Sequence, residues 1–341
     1  MRAKGISYDT GFVRSGGTSR PAFDPDEVRR ELRIIRDDLH CTAVRVIGGD
    51  PDRLELTASY AADLGLEVWF SPYPLELDEA EMLALFADCA ERAERIRGRG
   101  AEVVFVTGAE MALMNHGFLP GATQEERLRL LLGDRASLPE RIGAISAQVN
   151  AFLAQAVATV RARFAGPVTY AAIPLERVDW TPFDIVSADL YRSAEVADRF
   201  ADGVRSLVAQ GKPVAITEFG SAAYRGAADK GALFMDIAEL DSRTGTPLRL
   251  TGAYERDEPA QAAYITELLE IFDSAGVDAA FVFLFRLDGW PHHPTAAPEH
   301  DLDRASPAIV KLQTTPPPTT YPDLPWEPKA AFTAIAAKYA P

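Results

Sequence analysis

The sequence predicts a single α/β domain folded as a (β/α)₈ barrel, with an extended loop after strand seven and a proline-rich C-terminal strap. Two observations predict this fold: short β-forming runs recur eight times along the 341 residues, and segments with helical periodicity separate them. Hairpin turn signals do not separate neighbouring runs, as expected for parallel strands joined by helices. Because barrels of this class often reach this length, we expect residues 1–341 to form one unit.

The eight predicted strands are runs of four to seven residues, each followed by a predicted helix. They lie at 4–8, 42–47, 67–70, 102–107, 168–173, 184–188, 213–217 and 279–285. An open doubly wound sheet is the alternative, but it would be expected to carry a glycine-rich phosphate-binding turn after its first strand. Here the first strand ends in Asp9-Thr10-Gly11-Phe12, which does not match such a turn.

Two segments depart from the simple repeat of strand and helix. The connection at 220–257 is much longer than the usual two to six residues, so it predicts a lid, a rigid wall or an oligomer contact at the catalytic face. Near the C-terminus, the prolines between 316 and 328 disfavour regular helix or sheet. They predict an extended strap before a last helix at 329–339.

Composition narrows the class of protein. Fifty acidic residues against 35 basic ones give a net charge of −15, which argues against nucleic-acid and membrane-surface partners. No signal-peptide pattern and no run of about 18 apolar residues is evident, and only two cysteines are present. We therefore expect a cytoplasmic protein with a small-molecule substrate, and the sequence leaves its oligomeric state open.

Two glutamates follow predicted strands in a similar setting. Glu110 comes after the fourth run and Glu218 closes the seventh, so both are predicted at the carboxyl ends of strands, where such barrels keep their chemistry. Strands four and seven face each other across a closed barrel of eight. A carboxyl pair about 5–5.5 Å apart would suit a retaining glycosidase, and one about 6.5–9.5 Å apart an inverting one. The sequence alone does not separate these two mechanisms.

Short motifs then support a family resemblance. They are Val44-Arg45-Val46, Gly108-Ala109-Glu110, Asp189-Leu190-Tyr191, Thr217-Glu218-Phe219-Gly220 and Gly289-Trp290. In this order along nearly the whole chain they resemble the clan A glycoside hydrolases, which are retaining (β/α)₈ enzymes. The runs 23–45 and 67–72 also resemble an actinobacterial group often labelled abortive-infection proteins.

The resemblance to the clan A enzymes implies roles for the two glutamates. It implies that Glu110 is the acid/base and Glu218 the nucleophile. One departure is Ala109, where clan A members usually carry an asparagine that binds the sugar 2-hydroxyl.

Further residues are expected to bind substrate or support the glutamates. Arg45 and Arg286 lie at or near the ends of apolar strands, so each is expected to pair with a carboxylate. The resemblance implies that Arg45 lies beneath Glu218, whereas the residues alone allow a structural pair with Asp9 or Asp189. The full set of expected substrate-binding residues is Asp9, Arg45, Tyr73, His116, Tyr191, Arg286 and Trp290.

No metal or cofactor is expected. The histidines at 292, 293 and 300 lack the spacing that would prearrange metal ligands on a helix, and a serine nucleophile motif is absent from the sequence. The favoured function is a glycosidase-like enzyme acting on a sugar-like or polyketide-like substrate. Non-hydrolytic acid/base chemistry on a natural product (cyclisation, lyase or ring-opening reactions) and a non-catalytic binding or phage-defence module remain the alternatives.

Overall fold

Eight parallel strands form one sheet in the computed structural model, which describes residues 1–14, 16–133, 138–241, 244–313 and 315–341. The strands are β1 (Ala3–Asp9), β2 (Ala43–Gly48), β3 (Glu67–Pro72), β4 (Val103–Ala109), β5 (Val168–Ala171), β6 (Val186–Asp189), β7 (Val214–Phe219) and β8 (Ala279–Val282). Their order in the sheet is β5-β4-β3-β2-β1-β8-β7-β6. The two outer strands meet through the Asp189 amide, which donates to the Ala172 carbonyl at 2.9 Å. The predicted (β/α)₈ barrel is confirmed.

The strands are buried on both faces, which explains why their sequences are almost uniformly apolar. In β2, Val44 and Val46 pack outward against the helices, while Ala43 and Ile47 point into the barrel. Trp69 of β3 fills the barrel interior, where its ring lies 4.7 Å from that of Phe281. The interior is thus a packed core, so chemistry is confined to the mouth.

Helices surround the barrel. They are α1 (Pro25–Asp37), α2 (Pro51–Asp63), α3 (Glu79–Arg97), α4 (Met111–Met114), α5 (Gln124–Gly133), α6 (Leu138–Arg161), α7 (Ala197–Val208), α8 (Glu258–Ala275) and α9 (Ala330–Tyr339). Acidic residues cap the start of two of these helices. Asp24 is the N-cap of α1, and Asp78 forms a capping box with Glu81 at the start of α3. Helix α6 is long and apolar enough to cross a membrane by length and composition, and here it packs into the ring through residues such as Val149 and Phe152.

One strand lacks its helix, contrary to the prediction that every strand is followed by one. Between β5 and β6 the described chain forms only the 3₁₀ turn Pro174–Glu176. The connection is short, and prolines at 174 and 182 interrupt it, so it cannot continue as a helix. The helical ring therefore has a gap between α6 and α7.

The long connection after β7 is folded against the next one. It contains two 3₁₀ segments, Ala227–Asp229 and Gly231–Ile237, and an antiparallel pair, Ala238–Leu240 with Pro247–Leu250. Its buried side chains share one apolar cluster with residues that follow β8, including Trp290. The described part of this connection therefore forms a packed wall on the barrel.

The proline-rich strap carries some regular structure, which corrects the expectation of none. Val310–Leu312 pairs antiparallel with Trp326–Pro328, because Pro328 stands at the end of a short edge strand where its missing N–H is tolerated. Trp326 is buried, and its indole N–H donates to Glu31 of α1 at 2.8 Å. The strap thus fixes the C-terminal helix to the first unit of the barrel.

Candidate active site

Glu110 is aimed by an irregular strand end. The pairing of β4 with β5 shifts between Val106 and Ala109, so β4 carries one extra residue there. Gly108 has φ +81°, and a Cβ on it would lie 2.7 Å from the Met111 methyl group. Glu110 itself is left-handed, with φ 46° and ψ 41°. Non-glycine residues in this region are strained and concentrate at functional sites.

A buried chain of hydrogen bonds supports this turn. The Met111 amide donates to the Tyr170 hydroxyl at 2.7 Å, and that hydroxyl donates to Glu176 at 2.8 Å. Glu176 also accepts from the Ala112 amide at 3.0 Å. Because these hydrogen bonds hold the two consecutive amides after Glu110, they fix the backbone at the end of β4 and thereby the orientation of Glu110.

Glu218 also lies at a bulge. Asp189 pairs with Glu218 although Ala188 pairs with Ile216, so β7 carries one extra residue around Thr217. The Glu218 carboxylate accepts a hydrogen bond from Arg45 at 2.8 Å and one from the Tyr191 hydroxyl at 3.1 Å. Arg45 is fully buried and pairs with Glu218, which is the partner that the family resemblance implied.

Asp189 brings a third carboxylate to the site. One carboxylate oxygen each from Glu110, Asp189 and Glu218 lie within 4.8 Å of one another. Asp189 is 3% exposed, and burial raises the pKa of its carboxyl well above the usual value, with a further rise from the charge of Glu218 that Arg45 opposes. This spacing could also hold a cation, although Arg45 already supplies a positive charge at Glu218.

The surroundings of Glu110 and Glu218 affect the pKa values of the two carboxyl groups differently. Burial raises the pKa of Glu110 well above its usual value, and the nearby charges of Asp189 and Glu218 raise it further. Burial also raises the pKa of Glu218, but there the positive charge of Arg45 and the hydrogen bonds from Arg45 and Tyr191 oppose the rise. The pair therefore contains one group that favours its protonated form and one whose charged form has partners.

Two other predicted residues belong to the mouth of the barrel. Tyr73 follows β3, and its ring centroid lies 5.9 Å from the Arg45 guanidinium. Asp9 ends β1 and accepts hydrogen bonds from the Gly11 amide at 2.7 Å and from Ser19 at 3.0 Å. Burial raises the pKa of Asp9 to about 6.

The remaining three predicted residues are engaged elsewhere. His116 lies beside Glu76, with 3.5 Å between Nε2 and the carboxylate. Arg286 donates to Glu31 and Asp288 in a buried ionic network, as expected for an arginine that needs carboxylate partners. Trp290 is 7% exposed within the apolar cluster of the long wall, so little of its ring is available for stacking.

Sequence reasoning considered Asp189 only as a possible ion-pair partner of Arg45, and it assigned no role to Tyr170 or Glu176. Asp189 stood in a motif used for the resemblance, and its position at a strand end was a usable signal. Tyr170 and Glu176 carried no such signal, because Tyr170 lies within an apolar strand and Glu176 in a short loop.

The fold is similar to solved glycoside hydrolases. The structure of a GH113 β-1,4-mannanase in complex superposes with a TM-score of 0.60 and 17% identity, covering 99% of both chains. The GH113 β-mannanase of Alicyclobacillus acidocaldarius, in complex with ManMIm, gives 0.59 and 17% identity over 99% of this chain and 97% of that one. A β-glucuronidase of Bacteroides uniformis gives 0.55 and 11% identity, with 34% of that chain covered.

These likenesses define the class of barrel. No known family profile matches the sequence, and no curated protein matches it. At such low identity the structural neighbours show the fold alone, and that fold is a (β/α)₈ barrel like those of the GH113 mannanases.

Proposed function

We propose that the protein is a retaining glycoside hydrolase that uses Glu110 as acid/base and Glu218 as nucleophile. The observation that carries this proposal is the carboxylate spacing, with oxygens of the two groups within 4.8 Å of each other. This spacing is shorter than the roughly 6.5–9.5 Å by which inverting enzymes leave room for a water beside the sugar, and it suits direct attack on the anomeric carbon. The mannanases of similar fold make a β-linked sugar the first substrate class to test.

The two steps divide between the glutamates as follows. Glu218, charged beside Arg45, attacks the anomeric carbon while Glu110 gives its proton to the leaving oxygen, so the glycosidic bond breaks and a glycosyl ester forms. Glu110 then takes a proton from water, which attacks the anomeric carbon, so the bond between that carbon and the Glu218 oxygen breaks and the sugar and the Glu218 carboxylate are released. The Tyr191 hydroxyl, bonded to Glu218, keeps the attacking oxygen oriented throughout.

The experiment uses aryl β-glycosides, starting with 4-nitrophenyl β-D-mannoside, and three variants. Glu110→Gln should retain turnover on substrates whose leaving group needs no proton and lose it on poor leaving groups. Glu218→Gln should lose turnover on both, and Glu195→Gln, which changes an exposed glutamate, should match the wild type.

A covalent label provides an independent check. A 2-deoxy-2-fluoro glycoside with an activated leaving group should add one sugar mass to the wild type, and peptide mapping should place that mass on Glu218. Labelling of another residue, or equal loss of activity in Glu110→Gln and Glu218→Gln for every leaving group, would contradict these roles.

A further inference from the structure

The gap in the helical ring encloses a cavity. Where a helix would follow β5, the described chain leaves a space of about 660 Å³ between the outer face of β6, the helix α7 and the connection after β5. Its volume lies within the range of small-molecule sites, which is about 300–1,000 Å³.

The walls of this cavity are mostly apolar. The main apolar side chains are Val178, Trp180, Val186, Phe200, Val204 and Leu207. The last three share one face of α7, since they are spaced by three or four residues. Phe200 and Val204 are largely buried, and the Phe200 ring lies 6.2 Å from that of Phe272 on α8, so the partly exposed Leu207, Val178 and Trp180 carry more of the accessible apolar surface.

The cavity is separate from the carboxylate site. Glu110, Asp189 and Glu218 are not among its lining residues. Because side chains alternate along a strand, Val186 lies on the opposite face of β6 from Asp189. Tyr191 is the residue that the two sites share, since it lines the cavity and its hydroxyl reaches Glu218.

Two arginines line this apolar space. Arg177 and Arg199 are both exposed, and neither forms an ion pair with any residue that the structure describes. In a chain of net charge −15, most guanidiniums find carboxylates, as Arg205 on the same helix does with Asp202. An amphipathic anion could bind here, with its negative group at the unpaired guanidiniums and its apolar part against the apolar side chains.

The space also extends beyond the main cavity. A second cavity of about 310 Å³ shares Val178, Trp180, Val186 and Gln210 with it, so the two are adjacent, and the second is also lined by Asp179. Lys212 lines this second space, and its ammonium donates to three backbone carbonyls rather than to a carboxylate, including that of Phe183 at 2.6 Å.

We propose that the gap between α6 and α7 binds an acyl-chain carboxylate, with its chain against Val178, Trp180 and Leu207 and its head group at Arg177 and Arg199. The apolar lining supplies affinity through burial of the chain, and the two guanidiniums select a negative head group. This site does not depend on the glycosidase activity proposed above, so the two proposals fail or succeed separately.

Fluorescence of Trp180, which lines the cavity, allows a direct test. Decanoate and decyltrimethylammonium, which carry the same chain and opposite charges, are titrated below their micelle concentrations. We expect decanoate to bind at least about tenfold more tightly, since a charge-assisted contact is typically worth that factor or more. The signal change should disappear in Trp180→Phe while binding by calorimetry remains. Equal binding of both amphiphiles, or no binding of decanoate, would overturn the proposal.

Two pairs of variants locate the site. Gly203 lines the cavity on α7, and a Cβ there would meet no atom within 4 Å, so Gly203→Leu should fill the space without a clash. Gly143 is an equally open glycine on α6 outside the cavity, so Gly143→Leu is its matched control. We expect decanoate binding to be lost in Gly203→Leu and kept in Gly143→Leu, with both variants folded by circular dichroism.

The head-group contact is tested in the same way. Arg199→Gln should weaken decanoate binding about tenfold. Arg33→Gln, at an exposed arginine of α1 that forms no ion pair with described residues, should leave it unchanged. Unchanged binding in both Arg199→Gln and Gly203→Leu would place the ligand elsewhere and refute the assignment.

Discussion

Arg45 and Glu218 form a buried ion pair at the mouth of the barrel, with 2.8 Å between the guanidinium nitrogen and the carboxylate oxygen. Arg45 is held from below as well, because it donates to Ser71 at 3.2 Å and to the Thr217 carbonyl at 3.0 Å. The guanidinium is therefore fixed before any ligand binds. The side-chain carboxyl of Glu110, by contrast, accepts no hydrogen bond from the residues that the structure describes, so it is left to interact with a substrate.

The first prediction concerns Arg45→Gln. Without the positive charge, the charged form of Glu218 loses its main stabilising partner and the pKa of Glu218 rises further. Since Glu218 must be charged to act as nucleophile, the acidic limb of the pH profile of kcat/KM should move to higher pH. The free energy of unfolding at neutral pH should fall by about 3–5 kcal/mol, as for other broken buried pairs.

The variant Tyr191→Phe should have a smaller effect on the same acidic limb than Arg45→Gln. It removes one neutral hydrogen bond to Glu218 and leaves the ion pair, so the acidic limb should move in the same direction by a smaller amount. An acidic limb that stays in place in Arg45→Gln would show that Glu218 does not set it.

The second prediction concerns the third carboxylate. The charge of Asp189 raises the pKa of Glu110, after burial, so Asp189→Asn should lower that pKa. Glu110 must be protonated to act as acid, and the basic limb of kcat/KM should therefore move to lower pH. Because asparagine is nearly isosteric, the fold should be kept, which a thermal melt can check. A basic limb that moves upward or not at all would mean that Asp189 carries no charge in the working enzyme.

Much of the barrel could be predicted from the sequence, because its strands are buried on both faces and therefore read as apolar runs. The ends of β4 and β7 were also visible, since Glu110 and Glu218 interrupt such runs with a costly charge. Their closeness required only the geometry of a closed barrel. The Arg45 partner was not decided by the residues themselves, because Glu218 and Asp189 lie at neighbouring strand ends.

The remaining features depend on contacts that no local pattern records. Tyr170 acts through its hydroxyl, which an apolar strand pattern does not reveal, and Glu176 accepts a hydrogen bond from the Ala112 amide, 64 residues away in sequence. The missing helix after β5 was overlooked because the regular alternation of the other units suggested one. The bulges before Glu110 and Glu218 likewise depend on strand pairing, although Gly108 is a hint at the first.

The third prediction concerns stability and pH. Burial raises the pKa of Glu176 from 4.5 to about 7, so the folded protein holds a proton that the unfolded chain releases between these values. The free energy of unfolding should therefore lose a contribution as pH rises from about 4.5 to about 7, with no loss from this group below 4.5. In urea unfolding, the wild type should lose up to about 3 kcal/mol of stability relative to Glu176→Gln over that window, because glutamine does not titrate. A difference that is constant with pH would contradict the assignment.

The last prediction concerns the long connection after β7, which could be a lid or a wall. Several contacts tie it to the segment after β8: Arg256 reaches Asp301 at 2.9 Å and Asp303 at 2.8 Å, and the Ala223 amide donates to the Arg304 carbonyl at 3.0 Å. Since a lid must open at low energetic cost and this segment would have to break buried ion pairs, we expect a wall.

Limited proteolysis tests this expectation. Chymotrypsin should cut at the buried Tyr224 and Phe234 equally slowly with and without a bound sugar. Asp303→Ala, which removes a carboxylate from Arg256, should speed cleavage at both sites. Rapid cleavage of the free wild type that a ligand suppresses would instead show a gating role.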